Sequence, residues 1–416
     1  MRKILSFILL MLSLQHVSAQ QLRVGAARVS ITPSSEIFPV KPAHEQHAYV
    51  GVHDSVFVRA IVIEQNRERA VLLCMDEVKV IAPQRTAQAA AKAAGTAESQ
   101  VFSTCSHTHG TLHGEIIPED FYVDAATEAV RRAVSALTPA VATYGEGEAA
   151  VNMNNGEIRG LQYDTHGYSD HTLSIVRFSA LDSGQNIALL VSFASHAEVM
   201  FRSVSRDGGY EVSGDLPGRV SYLSEHSPKG APVTLCVPGA EGDQLPLFQG
   251  NHRTQEQGGV DQGAGGWSLV DALARRVFDS VVWVQKRMEA TNAPQALRTA
   301  TTQVLIPGQR WNRHTASGKP EAVDTPDVPV ELGVIQLGDI LITGIGADIA
   351  SKIGTEIRRS TENPHTLLFT MLGDSKGYIL EDKAYENPGH GVMGSPVKPG
   401  YAQDRIIQGL TSILNK

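Results

Sequence analysis

Two histidines one residue apart, His107 and His109, stand in the segment Ser106-His107-Thr108-His109-Gly110. Alternate residues of an extended chain share a face, so both imidazoles can point the same way. Imidazole is an ordinary zinc ligand and also a general base near neutral pH. A turn holding two hydrogen-bonded histidines is the competing reading of the same letters. The metallo-β-lactamase spacing fits poorly, because the fourth and fifth positions after His107 are Thr111 and Leu112 rather than Asp and His. A third histidine, His196, ends the run Phe193-Ala194-Ser195-His196. Asp243 lies in the glycine-containing loop Pro238 to Pro246, as an acceptor or base or as a turn residue bonding its own backbone. Asp348 closes Thr343 to Asp348, as a ligand or as the N-cap of the helix that follows. Tyr378 follows in Gly373 to Tyr378.

These five segments share a position: each follows an apolar run. Ala70 to Met75, Val101 to Cys105, Ile187 to Phe193, Val233 to Val237 and Leu367 to Leu372 read as strands, as do Val141 to Val151 and Leu173 to Ala180. Leu297 to Ile306 and Val334 to Ile345 are further strand candidates, the latter broken by a turn at Gly338-Asp339. Helical spacing marks Arg85 to Ala94, Phe121 to Leu137, Trp267 to Val284 and Ile349 to Arg359. The front of the chain thus alternates strand and helix, which predicts parallel pairing there. The expectation is an α/β fold, a mixed sheet core with helices, in one catalytic domain with long glycine-rich loops at Ser205 to Gly214 and Gly250 to Gly266. In such sheets ligands bind beyond the carboxyl ends of the strands.

Arg2 and Lys3 precede an apolar run from Ile4 to Leu14 and a small-residue stop at Val17-Ser18-Ala19. That pattern reads as a cleaved signal peptide over 1–19, with the catalytic domain over 20–416 and a secreted or periplasmic destination. The apolar run is too short to cross a bilayer. A hydrophobic content of 42% and a charged content of 19% are globular values. The net charge of −8 argues against a nucleic-acid partner. Cys74, Cys105 and Cys236 sit inside apolar runs and read as core residues.

Taken in order, the motifs resemble those of the neutral/alkaline non-lysosomal ceramidase family. Ser106 to Gly110 resembles its Gly-Thr-His-Thr-His-Ser-Gly, Phe193 to His196 its Phe-Ala-x-His, and Gly242-Asp243-x-x-Pro246 its Gly-Asp-Val-Ser-Pro. Asp348 with Gly354 is similar to its Pro-Gly-Glu…Gly, and Gly377-Tyr378 to its later tyrosine segment. The opening Val24 to Pro33 and His53-Asp54…Arg59-Ala60 match as well. The resemblance implies one zinc held by His107, His196, Asp348 and Tyr378, with His109 facing the substrate and Tyr385 stabilising the oxyanion. Asn152 to Asn155 stands where the family has Asn-Arg, so Asn155 and the nearby Arg159 are the implied substrate-binding residues. Leu245 replaces the family's serine, and no C-terminal β-sandwich follows.

The implied activity is zinc-dependent hydrolysis of an amide or ester by metal-activated water, with His109 or Asp243 taking the proton. The implied partner is a small-molecule or lipid-like substrate. A carbohydrate-linked or other small extracellular substrate stands beside the N-acyl lipid, and so does a metal-containing binding protein without catalysis.

Overall fold

A computed structural model of the chain describes residues 21–112, 114–156, 164–251, 260–289, 295–312, 319–386 and 388–415. The proposed signal peptide, His113, Arg159 and part of the Gly250–Gly266 loop lie outside the described residues.

The strands, in chain order, begin with β1 (Arg23–Ser30), β2 (Tyr49–Val52), β3 (Phe57–Gln65), β4 (Glu68–Met75) and β5 (Val101–Cys105). They continue with β6 (Thr138–Glu148), β7 (Asn152–Asn154), β8 (Thr172–Ala180), β9 (Asn186–Phe193), β10 (Tyr210–Val212), β11 (Thr234–Pro238) and β12 (Gln244–Pro246). The last are β13 (Leu297–Asn312), β14 (Glu321–Leu337), β15 (Ile340–Ile345), β16 (Asp348–Ile349), β17 (Thr366–Phe369) and β18 (Tyr378–Ile379). The helices are α1 (Pro83–Ala94), α2 (Glu119–Ser135), α3 (Asp215–Glu225), α4 (Trp267–Gln285), α5 (Ser351–Ser360), α6 (His390–Gly394) and α7 (Ala402–Leu414).

Two sheets carry the molecule. One has eight strands in the order β11-β9-β8-β6-β1-β3-β4-β5, the other four in the order β13-β14-β15-β17. Period-two alternation sorts each strand's side chains between two cores. Leu72 and Cys74 of β4 and Leu190 of β9 pack between the sheets, against Ile335, Ile342 and Phe369 of the smaller one. Val71, Leu73 and Met75 of β4 turn the other way, onto Ala90 of α1 and Tyr122 and Val130 of α2. Leu189 and Val191 of β9 likewise turn onto α3 and α4. The outer face of the small sheet is covered by α5 and α7 through Ile353, Ile357 and Ile406. The result is a four-layer α/β/β/α arrangement, and the mixed α/β class read from the sequence is the one observed.

The parallel pairing expected at the front holds where strand and helix alternate, at β4 and β5. β4 and β5 are parallel, joined by the α1 crossover, but β1–β3 and β3–β4 are antiparallel. The reason is local: Asn66 and Arg67, at φ 52° and 70°, form a two-residue connection between β3 and β4. Such a turn closes a hairpin and leaves no room for a crossover. The helix expected from Ile349 starts at Ser351 instead, because Asp348 and Ile349 form a short strand beside Tyr378 and Ile379. The three cysteines are buried and free, as core residues would be.

Candidate metal and catalytic site

The sheet ends deliver the site. β5 runs out into His107, β9 into His196 and β11 into the loop that carries Asp243, all on the eight-stranded sheet. β15 of the smaller sheet runs out into Asp348, and the segment after β17 returns to Tyr378. Asp348 and Tyr378 are paired residues of the two-stranded β16–β18 ladder. The site therefore lies at the carboxyl edge where the two sheets meet, half from each.

The histidine half is fixed by the main chain. Nδ1 of His107 donates to the Val78 carbonyl at 2.6 Å. Nδ1 of His196 donates to the carbonyls of Glu241 at 2.9 Å and Gln244 at 3.2 Å. A carbonyl only accepts, so both Nδ1 atoms carry the proton and both Nε2 atoms face the centre. His107 adopts φ 57°, a conformation rare outside glycine that commonly marks a functional constraint. The His107 and His196 rings lie 5.0 Å apart. His109 joins them, its ring 4.9 Å from that of His107, and one ligand atom from each of the three lies within 4.8 Å of the others.

The carboxylate half approaches from the other sheet. Asp348 Oδ2 is 3.3 Å from His196 Nε2 and 3.8 Å from His107 Nε2. The Tyr378 hydroxyl is 3.3 Å from His196 Nε2. Asp348 is 2% exposed, and neither of its carboxylate oxygens has a hydrogen-bond partner; His107 Nε2 has none either. Buried orphans of this kind are costly. Two imidazole nitrogens, a bare carboxylate and a phenol converging in one buried place are a donor set that fits a cation such as zinc.

The charges point the same way. Burial pushes His107 below its usual pKa, and the charge on His196 adds to the effect. Burial also opposes charge on His196, but Asp348, with Glu241 and Glu198, outweighs it and lifts that imidazole to about 10. A bound cation would take the place of the His196 proton beside Asp348. Glu241 is held well above the usual carboxylate range, first by burial and then by Asp348 and Glu198. Its Oε2 accepts from the Ser195 amide at 3.2 Å.

Asp243 sits differently. Its Oδ1 accepts the Ser351 amide at 2.7 Å, and its Oδ2 accepts the Ser351 hydroxyl at 3.0 Å and Asn154 Nδ2 at 2.9 Å. It thus caps α5 from a distant segment, and burial raises it to about 6. Asp348, which the sequence allowed as that helix's cap, is left for the histidines. The close packing rests on Gly242 and Gly354: a Cβ on the first would meet Asp348 O at 2.8 Å, and one on the second Ala240 Cβ at 2.2 Å. Tyr385 directs its hydroxyl to Ser395 Oγ at 2.7 Å. Asn155 donates its amide to the Asp243 carbonyl at 2.8 Å and lines a small cleft with Asp243 and Glu381. Leu245 pairs with Met153 in the β7–β12 ladder. Arg59, part of the opening motif, is a structural tie: buried, it donates to Asp76 Oδ2 at 2.7 Å and Glu225 Oε1 at 2.8 Å.

The sequence reading thus named His107, His109, His196, Asp348 and Tyr378, and the fold gathers all five. It missed Glu198, whose Oε1 lies 3.6 Å from His109 Nδ1, and Glu241. Their signal was proximity to His196 and Asp243 in the chain.

No family model and no curated protein matches the chain. Among solved structures, the neutral ceramidase from Pseudomonas aeruginosa superposes with a TM-score of 0.73, over 94% of this chain and 73% of that one, at 16% identity. A ceramidase solved in complex with C2 gives a TM-score of 0.73 over 95% of this chain and 76% of that one, at 15% identity. The chain has a neutral ceramidase-like fold.

Proposed function

We propose that the chain is an exported, zinc-dependent hydrolase that cleaves an amide or ester bond. The observation that carries this is the approach of His107 Nε2 and His196 Nε2 to within 3.8 Å of the Asp348 carboxylate, with Tyr378 against His196. His107, His196, Asp348 and Tyr378 would hold the ion, and when bound it supplies Lewis-acid polarisation of a carbonyl and a water of lowered pKa. The three-histidine grouping shares His107 and His196 with this set and offers His109 in place of Asp348. The approach of Asp348 Oδ2 to 3.3 and 3.8 Å of the two inner Nε2 atoms favours Asp348, which leaves His109 for chemistry.

The chain's own residues divide the remaining work. His109 takes the proton of the attacking water and returns it to the leaving group. Asp243 holds α5 and the 348–351 segment in place. Tyr385, whose hydroxyl meets Ser395 Oγ, is the proposed donor to the oxyanion, and Asn155 and Arg159 the proposed substrate contacts. Leu245 offers no nucleophile, so attack is by water and no acyl-enzyme forms.

A cavity of about 590 Å³ adjoins the site. It is lined by Val78, whose carbonyl holds His107, by Lys79, Glu115 and Glu119, and by Asp374 and Ser375 just ahead of Tyr378. That charged lining favours a second reading of the substrate, a carbohydrate-linked or other small polar molecule rather than a two-chain lipid. Among the described residues no helix is long and apolar enough to cross a membrane. The test is turnover of N-acyl and acyl-ester probes by the mature chain, lipid and sugar-linked, with and without a chelator. Chelator-sensitive cleavage supports the reading; zinc-loaded protein inert on the whole panel would leave a binding protein.

A further inference from the structure

The segments after β5 and β9 run side by side. Thr108 and Ala197 form an isolated parallel bridge, and the His109 amide donates to the Ala197 carbonyl at 3.1 Å. Residues flanking a bridge position point to the same face. His107 and His109 flank Thr108, and His196 and Glu198 flank Ala197. A His-x-His motif is thus laid against a His-x-Glu motif. The inner members, His107 and His196, face Asp348. The outer members face each other, with His109 Nδ1 3.6 Å from Glu198 Oε1.

We propose that Glu198 is a positioning residue that holds His109 with its proton on Nδ1, leaving Nε2 to act as the base. The proposal rests on the reading of the chain as a hydrolase. A carboxylate beside one ring nitrogen selects the tautomer and orients the ring, as in nucleophile–histidine–carboxylate triads. Here the attacking group is water. Its oxygen bonds to the carbonyl carbon, its proton goes to His109 Nε2, the bond to the leaving nitrogen or oxygen breaks, and that proton passes to the departing atom. Apo separations of such pairs are commonly long and tighten when substrate binds.

Glu198 is built to be held still. It is 4% exposed. Its carbonyl accepts from the Phe201 amide at 3.4 Å and from Gln249 Nε2 at 3.5 Å. The next two amides, of Val199 and Met200, are clamped by the Asp215 carboxylate at 3.1 and 2.8 Å. Phe201 closes the other side of His109 edge-to-face, ring centres 5.1 Å apart. His109 also lines a narrow cleft with Arg202, Ser203, Ser205, Ser213 and Trp267.

The experiment uses the full mature chain, zinc-loaded, as wild type, Glu198→Ala, Glu198→Gln and Glu198→Asp. ¹⁵N-histidine NMR reads the His109 tautomer without needing turnover. The proposal expects Nδ1–H in the wild type, loss of that preference in Glu198→Ala, and unchanged zinc content. With a probe that the wild type cleaves, kcat should fall about 10- to 100-fold in Glu198→Gln while KM moves less than about 2-fold, with Glu198→Asp recovering most of the loss. An Nε2–H tautomer in the wild type, an unaltered kcat, or zinc lost from Glu198→Ala as from His107→Ala would each overturn it. If no probe is cleaved by any form, the hydrolase reading fails while the tautomer still decides the pair.

Discussion

The two halves of the site are anchored in opposite ways. On the eight-stranded sheet, His107 and His196 are each pinned through Nδ1 by main-chain carbonyls. On the smaller sheet, no main-chain group holds the Asp348 carboxylate: the Asp348 amide donates to Gly377 O at 2.9 Å, and its carboxylate meets only the histidines, 3.3 Å from His196 Nε2. The histidine half is preorganised, with both Nδ1 atoms tied to the main chain and both Nε2 atoms facing inward. The carboxylate half is organised by whatever sits between. A site divided this way uses rigid ligands to set geometry and a buried charge to set the sign of the guest.

The largest effects should come from the rigid half. His107→Ala and His196→Ala should each strip the metal and cut activity by about 10²–10³-fold or more. Asp348→Asn, which keeps shape and an oxygen donor but removes the charge, should weaken zinc binding less than either histidine loss. Zinc titration of all three checks the order; equal losses would erase the contrast between the halves.

Asp243→Asn should behave as loss of a helix cap. Its amide nitrogen would face the Ser351 hydroxyl and Asn154, two donors that now find an acceptor. A stability loss of about 1–2 kcal/mol is expected, with zinc content intact and kcat reduced less than about 100-fold. Denaturant melts with parallel kinetics test this. A collapse in kcat at full stability would return the base to Asp243.

The last effect leaves the chemistry alone and touches stability only: a pH dependence beside the histidine half. Glu77 precedes Val78, is buried, and accepts from Thr111 at 2.6 Å and Tyr122 at 2.9 Å. Burial raises its carboxyl from 4.5 to about 7, the two hydroxyls partly offsetting the shift. With the folded pKa above the unfolded one, the unfolded chain releases its proton first. The contribution of Glu77 to stability is therefore fully present below about 4.5 and is lost as pH rises through about 7, by up to a few kcal/mol. Unfolding of metal-free Glu77→Gln and wild type across this window should give diverging curves; parallel curves would contradict the assignment.

Much of this was legible beforehand because buried strands announce themselves as apolar runs. Val101 to Cys105 and Ile187 to Phe193 were placed to within a residue, and the histidines beyond them followed. The β3–β4 hairpin was missed because Asn66-Arg67 is not a customary turn pair, though it adopts the left-handed geometry of one. The α7 helix also escaped the reading. The Asp243 loop reads as a chemical site because it follows a strand and holds glycines. Its actual partner, Ser351, is 108 residues away, and no local pattern encodes that contact. Glu198 was passed over because a glutamate two residues after a histidine has meaning only once the β5 and β9 exits are laid side by side.

The most direct measurement is an anomalous-scattering map of the zinc-loaded chain. The account predicts one peak, with His107 Nε2, His196 Nε2 and an Asp348 oxygen at about 2.0–2.2 Å and the Tyr378 oxygen completing the shell. A peak bound by His109 with Asp348 turned away, or no peak at these residues, would contradict it.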